Sequence, residues 1–206
     1  STTDCITISD MLVDTGSVGI RVFKSLVSGL NLQQVTDPNS KSYAECVTFG
    51  DTSQDWGPVQ LANIVLGGEA AVQMPIQVID STFTGKAAKC NNANSSPATA
   101  GYNGILGLGL NNQDCGSSCS GGLMSNPAYY SCTNVSCTAA MIPINKQLAN
   151  PVSQLAQDNN GIILQLPLIP LGGQSSADGY LVLGIGTQTN NSPSNSVHAY
   201  DADNTT

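Results

Sequence analysis

Positive charge is what this sequence has least of. Six Lys plus Arg stand against fourteen Asp plus Glu in 206 residues, a formal net charge of -8. The cations, Arg21, Lys24, Lys41, Lys86, Lys89 and Lys146, are scattered rather than clustered. Without a basic patch to neutralise phosphates, nucleic acid and anionic membrane surfaces are poor partners. Long apolar runs are also missing, and nothing approaches the roughly 20 residues of a membrane-spanning helix. No leader pattern opens the sequence, which reads as mature or trimmed. Histidine occurs once, as His198 in a polar tail. No nucleophile turn accompanies it, so a Ser-His-Asp triad has no footing and a surface His is expected.

Helix formers are scarce as well, while Gly, Ser, Thr and Asn abound. Short apolar runs broken by turn residues then read as mainly β. Residues 6–14, the run resuming at Ile20–Phe23, 44–50, 57–66, 72–79, "NGILGLGL", "IILQLPLI" and "GYLVLGIG" are the expected strands. The segments 44–50 and 57–66 flank "DTSQDW" as a hairpin. Lys24–Leu30 fits a helical turn or two. The polar stretch 82–101 reads as a loop, and 150–161 reads as the best helix, with Val152, Leu155 and Ala156 on one face and Gly161 as its stop. No repeat or linker divides the chain, so residues 1–206 are read as a single domain.

Seven cysteines, Cys5, Cys46, Cys90, Cys115, Cys119, Cys132 and Cys137, point to an oxidising compartment, and the odd number leaves one thiol over if three bridges form. Cys115/Cys119 and Cys132/Cys137 are spaced too widely for zinc knuckles, so local disulfides are expected in 111–140. No metal or organic cofactor is implied. The glycines of "GLGLNNQDCG" lack the spacing of a dinucleotide-binding turn. The sequons at Asn94, Asn134 and Asn204 are expected to be silent. Trp56 is expected to pack under the hairpin rather than line a groove.

One stretch carries chemistry. "MLVDTGSVGI" delivers a carboxylate, Asp14, from an apolar run into the turn Thr15-Gly16-Ser17. Burial behind Leu12 and Val13 raises a carboxyl pKa, while donors in the turn lower it. By itself D-T-G is also an ordinary β-turn. The order of neighbouring motifs gives it weight. "MLVDTGSVGIRVF", "CVTFGDTSQDWGPVQLANIVLGG", "NGILGLGL" and "NPVSQLAQDNNGIILQLPL" with "GYLVLGIG" resemble, in sequence, the N-terminal lobe of the pepsin-like aspartic proteases. The resemblance is closer still to a bacterial branch of that fold, secreted or envelope-associated, sharing the D-T-G-S, I-L-G and G-I-G-T-Q stretches.

The resemblance implies a fold of antiparallel β-sheets with one or two short helices. It implies an aspartic endopeptidase, secreted or periplasmic, acting on peptide substrates. Asp14 is then one of two catalytic carboxylates, and Thr15 grips the opposing lobe. Gly16 leaves room for water and substrate, and Ser17 hydrogen-bonds the outer oxygen of Asp14. Phe49 and Gly50 lie at the flap, with Phe49 where the family usually has Tyr. The mechanism needs two carboxyl groups sharing one proton, yet no second D-[ST]-G occurs. Asp114 in "DCGS" follows a polar approach and reads as part of a disulfide loop, and Asp178 as a turn. The second carboxylate is expected from a C-terminal lobe beyond this chain or from a second copy facing Asp14. In the alternative, the lobe is an inactive scaffold for binding or extracellular assembly.

Overall fold

The computed structural model describes residues 5–122 and 124–193. His198 and the Asn204 sequon lie outside the described residues. In chain order, β1 is Met11–Asp14 and β2 is Val18–Phe23. A single turn α1, Lys24–Val27, leads to β3, Gln33–Gln34. β4 (Ser42–Thr48) and β5 (Gln54–Ile64) form the hairpin, and β6 is Val72–Ile79. After α2 (Pro97–Ala100), capped by Ser96 and ended by Gly101 at φ 83°, comes β7, Gly104–Leu108. Beyond it are α3 (Ser117–Ser120), β8 (Tyr129–Cys132), β9 (Cys137–Ala139), β10 (Ile162–Gln165) and β11 (Tyr180–Leu183).

The protein is mainly β. Nine strands make one sheet in the order β1-β7-β2-β6-β5-β4-β8-β9, with β3 against β5, and β10-β11 form a separate hairpin. The sheet is mixed rather than antiparallel throughout. β1 runs parallel to β7, and β2 parallel to β6. In each pair the chain returns by a long excursion, which a parallel pairing requires and a tight hairpin does not. Every residue of β2 is buried because neighbours flank it on both sides.

Alternation along the strands sorts side chains by face. Ile20 and Val22 join Met74, Ile76, Val78, Leu106 and Leu108 in the main apolar cluster. Arg21, between them in sequence, points the other way. On β4, Ala44 and Cys46 pack with Trp56, Cys90 and Tyr130, whereas Tyr43 packs with Val59, Tyr129 and Leu148. Trp56 is fully buried and donates from Nε1 to the Phe83 carbonyl at 3.1 Å, so it lies under the hairpin as expected.

The expected helix at 150–161 does not form. Only Val152–Gln154 makes a 3-10 turn, and Leu155 is already extended at ψ 149°. The Asn150 side chain accepts the Val152 N–H at 3.0 Å and closes a local turn, as Asn does in competition with a helix. Val152 and Leu155 still reach the main cluster, so the apolar spacing reported burial rather than helix. β1 starts at Met11, five residues later than expected, and β5 at Gln54, so Asp55 and Trp56 belong to the strand. Within 82–101, Ala88–Cys90 and α2 add short helical turns.

Three disulfides form, Cys46–Cys90, Cys115–Cys119 and Cys132–Cys137, and Cys5 is exposed and unbridged. Among the described residues no helix is long and apolar enough to cross a membrane, and no metal-ligating cluster occurs.

Candidate functional site

Asp14 ends β1 at the edge of the large sheet. The parallel register places it beside Gly107, and Gly107 in turn lies opposite Gly19 on β2. A Cβ at Gly107 would stand 2.8 Å from the Gly19 carbonyl oxygen. Glycine there lets β7 lie close against the β2 backbone that follows the Asp14 loop, between β1 and β2. The Gly16 N–H donates to Asp14 Oδ1 at 2.8 Å, and a Cβ at Gly16 would meet that same oxygen at 3.2 Å. Gly16 therefore keeps the space over the carboxylate open. Thr15 is exposed.

Two expectations about this loop change. Leu12 and Val13 are 46% and 41% exposed, so they do not bury the half-buried Asp14. β1 has a neighbour on one side only, which leaves its other flank open. Ser17 Oγ does not bond Asp14 either. It is buried without any partner, while the Ser17 carbonyl accepts from the Gly109 N–H at 2.8 Å.

The β4–β5 tip stands over the same space. Phe49 N–H donates to the Ser53 carbonyl, and Asp51 Oδ1 accepts from the Ser53 amide and hydroxyl at 2.9 and 2.6 Å. These bonds hold Phe49 and Gly50 at the mouth of an open cleft of about 720 Å³ whose rim includes Asp14. The Phe49 ring centre is 5.8 Å from Arg21 Cζ, a cation–π contact made by a side chain that carries no hydroxyl.

The floor of the cleft is a buried ionic network that sequence reading missed. Arg21 Nη2 donates to Glu45 Oε1 at 2.7 Å and lies 3.9 Å from Asp114 Oδ2, while Nη1 donates to the Val18 carbonyl at 2.8 Å. Tyr129 Oη donates to Asp114, at 2.8 Å from each carboxyl oxygen, and accepts the Leu148 N–H at 3.0 Å. Burial, then the charge of Glu45, pushes the Asp114 carboxyl well above its ordinary range. Burial, with the charges of Asp114 and Glu45, raises the Tyr129 phenol similarly. Burial works against the Arg21 charge, but Glu45 and Asp114 outweigh it and keep the guanidinium protonated. Arg21 thus clamps the backbone just after the Asp14 loop to the floor of the cleft.

Asp114 was expected in a plain disulfide loop. The Cys115–Cys119 loop does form, but Asp114 turns inward, with a side chain 8% exposed. The available signal was Arg21 inside "VGIRVF" and Glu45 inside "YAECVTF": opposite charges within apolar strands of a chain poor in charge.

A family model described as a protein of unknown function, DUF3443, matches residues 1–206, and the chain belongs to that family. No curated protein and no solved structure matches it.

Proposed function

We propose that this member of the DUF3443 family is one lobe of an aspartic-peptidase-like protein of pepsin type, exported to the periplasm, cell envelope or medium. Asp14 supplies one of the two carboxyl groups that activate water against a peptide bond. The observation that carries the reading is the meeting of three elements at one cleft: the Asp14–Ser17 turn, the β7 strand paired beside β1, and the Phe49–Gly50 tip. The three disulfides agree with an oxidising compartment.

Two carboxyl groups a few ångströms apart share one proton, so one takes a proton from water while the other gives one to the carbonyl oxygen. Asp14 stands at an open edge suited to meeting such a partner. Leu12 and Val13 beside it are exposed apolar residues, as are Leu166, Leu168 and Tyr180 around β10–β11. Patches of this kind mark contact surfaces. A second lobe or a second copy of the chain, docked there, brings the other carboxylate.

A second reading is a scaffold without catalysis, for binding or extracellular assembly. Phe49 favours it, since its side chain brings no hydroxyl to a hydrogen-bond network at the carboxylates. One assay separates the two. The protein, with whatever lobe or copy accompanies it in its natural state, is incubated with a peptide mixture between pH 3 and 7. Pepstatin-sensitive cleavage that disappears in Asp14→Asn supports the peptidase. Cleavage unchanged by that substitution removes it, and self-association without cleavage selects the scaffold.

A further inference from the structure

We propose that the floor of the Asp14 cleft is a recognition site for a basic side chain, so that the peptide this cleft takes carries Lys or Arg at the position under the β4–β5 tip. The proposal rests on reading the cleft as a peptide-binding cleft and names the class of peptide. Three observations carry it.

The first is charge. Four carboxyl groups line the cleft, Asp14 and Asp51 at the rim and Glu45 and Asp114 at the floor, against the single guanidinium of Arg21. Arg21 neutralises one of them, and among the described residues no other cation lines the space.

The second is an unmet valence. Glu45 is 1% exposed; Arg21 uses its Oε1, and among the described residues no amide, ammonium or hydroxyl donor serves Oε2. Ser17 Oγ and Arg21 Nε are also buried without partners around the same cleft. A buried polar atom left unpaired costs free energy, so native proteins leave few of them. A terminal ammonium or guanidinium supplies the donors that Glu45 Oε2 lacks. The carbonyl of the same residue supplies an acceptor for Ser17 Oγ.

The third is shape. Leu12, Val47, Phe49, Ile105, Met124 and Ala128 wall the space above the floor. Apolar walls over a charged end match the methylene stem and charged head of a basic side chain. An acidic side chain meets carboxyl groups on every side, and an aliphatic one leaves Oε2 unserved.

In the unliganded protein the excess charge is held down by a proton. Asp114 faces Glu45 from β4, Arg21 from β2 and Tyr129 from β8, and it keeps its proton well above the ordinary carboxylate range. An incoming cation replaces that proton. Binding therefore releases a proton to solvent and strengthens as pH rises through the Asp114 transition.

The test is calorimetric binding of two matched peptides to the full chain, identical except for Lys in one and its uncharged isostere norleucine in the other. Titrations run from pH 5 to 8 in buffers of different ionisation enthalpy. The expected result is at least tenfold tighter binding of the Lys peptide, a preference growing with pH, and proton release on binding. Asp114→Asn, which leaves the Arg21–Glu45 pair in place, should abolish the proton release and flatten the pH dependence. Glu45→Gln should erase the preference. If Glu45→Gln does not fold, Asp114→Asn alone decides. Equal or tighter binding of the norleucine peptide overturns the inference while leaving the peptide cleft standing. Binding of neither peptide overturns both.

Discussion

Arg21 Nη2 lies 2.7 Å from Glu45 Oε1, and both side chains are only 1% exposed. The pair joins β2 to β4, and through Asp114 and Tyr129 it reaches the backbone at Leu148. Removing one member strands a buried charge, which typically costs more than the intact pair contributes. Arg21→Met should destabilise the protein by about 3–5 kcal/mol. The triple variant Arg21→Met, Glu45→Gln, Asp114→Asn should recover most of that loss, because it leaves no unpaired charge. Urea unfolding followed by fluorescence of the single, fully buried Trp56 reads both. A single variant as stable as the parent would mean that water already serves the floor.

Gly107 pairs with Asp14 across β1 and β7, and any side chain there collides with backbone at Gly19 and Val18. Backbone cannot swing away as a side-chain tip does, so Gly107→Ala should lift the Asp14 loop from the sheet. The expected cost is about 1–3 kcal/mol, with peptide binding or cleavage falling more steeply than stability. Gly68→Ala, which meets nothing within 4 Å, is the control and should change neither. Equal effects of the two variants would detach Gly107 from the site.

The disulfides should differ in worth by their span. Cys46–Cys90 closes a separation of 44 residues and lies against Trp56, whereas Cys115–Cys119 closes 4. On chain entropy alone, the first contributes about 4 kcal/mol and the second about 2. Replacing Cys46 and Cys90 with Ala should lower the urea midpoint far more than replacing Cys115 and Cys119. Loss of the smaller loop should act instead on the cleft, because Asp114 precedes Cys115 directly. The observation that counts against this is an unchanged cleft in the Cys115/Cys119 variant, read by the Asp114-linked proton release.

Strand-forming stretches were legible because period-two patterning and turn residues report local structure directly. β4, β5, β6 and β7 follow from "AECVTF", "GPVQLANIVL", "VQMPIQVI" and "NGILGLGL". The turn at Asp14 was legible for the same reason, whereas the place of Phe49–Gly50 at the tip came from the resemblance to the pepsin-like lobe. The parallel pairings were not, since nothing near β1 or β2 specifies a partner some 55 to 90 residues away. The floor of the cleft was hidden for a related reason. Arg21, Glu45, Asp114 and Tyr129 sit on separate elements, and each alone resembles a surface charge or a core aromatic. The missing helix at 150–161 shows the converse, as an apolar spacing met by a 3-10 turn once Asn150 capped Val152.

Acid pH should stabilise the protein up to a point, and the buried carboxyl groups set where. Burial pushes Asp55 up to about 6, despite the bond that the Asn94 amide donates to Oδ1 at 2.9 Å, and Oδ2 has no partner. An unfolded Asp ionises near 3.8, so between the two values the folded state holds the extra proton. Stability therefore declines as pH climbs from about 4 to about 6 and stays lower above that. Asp114 adds a contribution of the same sign. Asp37 and Asp80 act oppositely. Burial of Asp80 is outweighed by Lys24 and Thr82, and burial of Asp37 by the Lys41 amide and the Ser131 hydroxyl, which holds both below the ordinary range. Their stabilisation is present above 3.8 and disappears as pH falls through the lowered values. Maximum stability should then lie near pH 4 rather than at neutrality. Asp55→Asn should raise stability at pH 7 by about 1–3 kcal/mol and change little at pH 4. Urea midpoints across pH 3 to 8 check both statements. A parent profile that keeps rising to pH 7, with no gain from Asp55→Asn, would mean that Asp55 ionises freely in the folded protein.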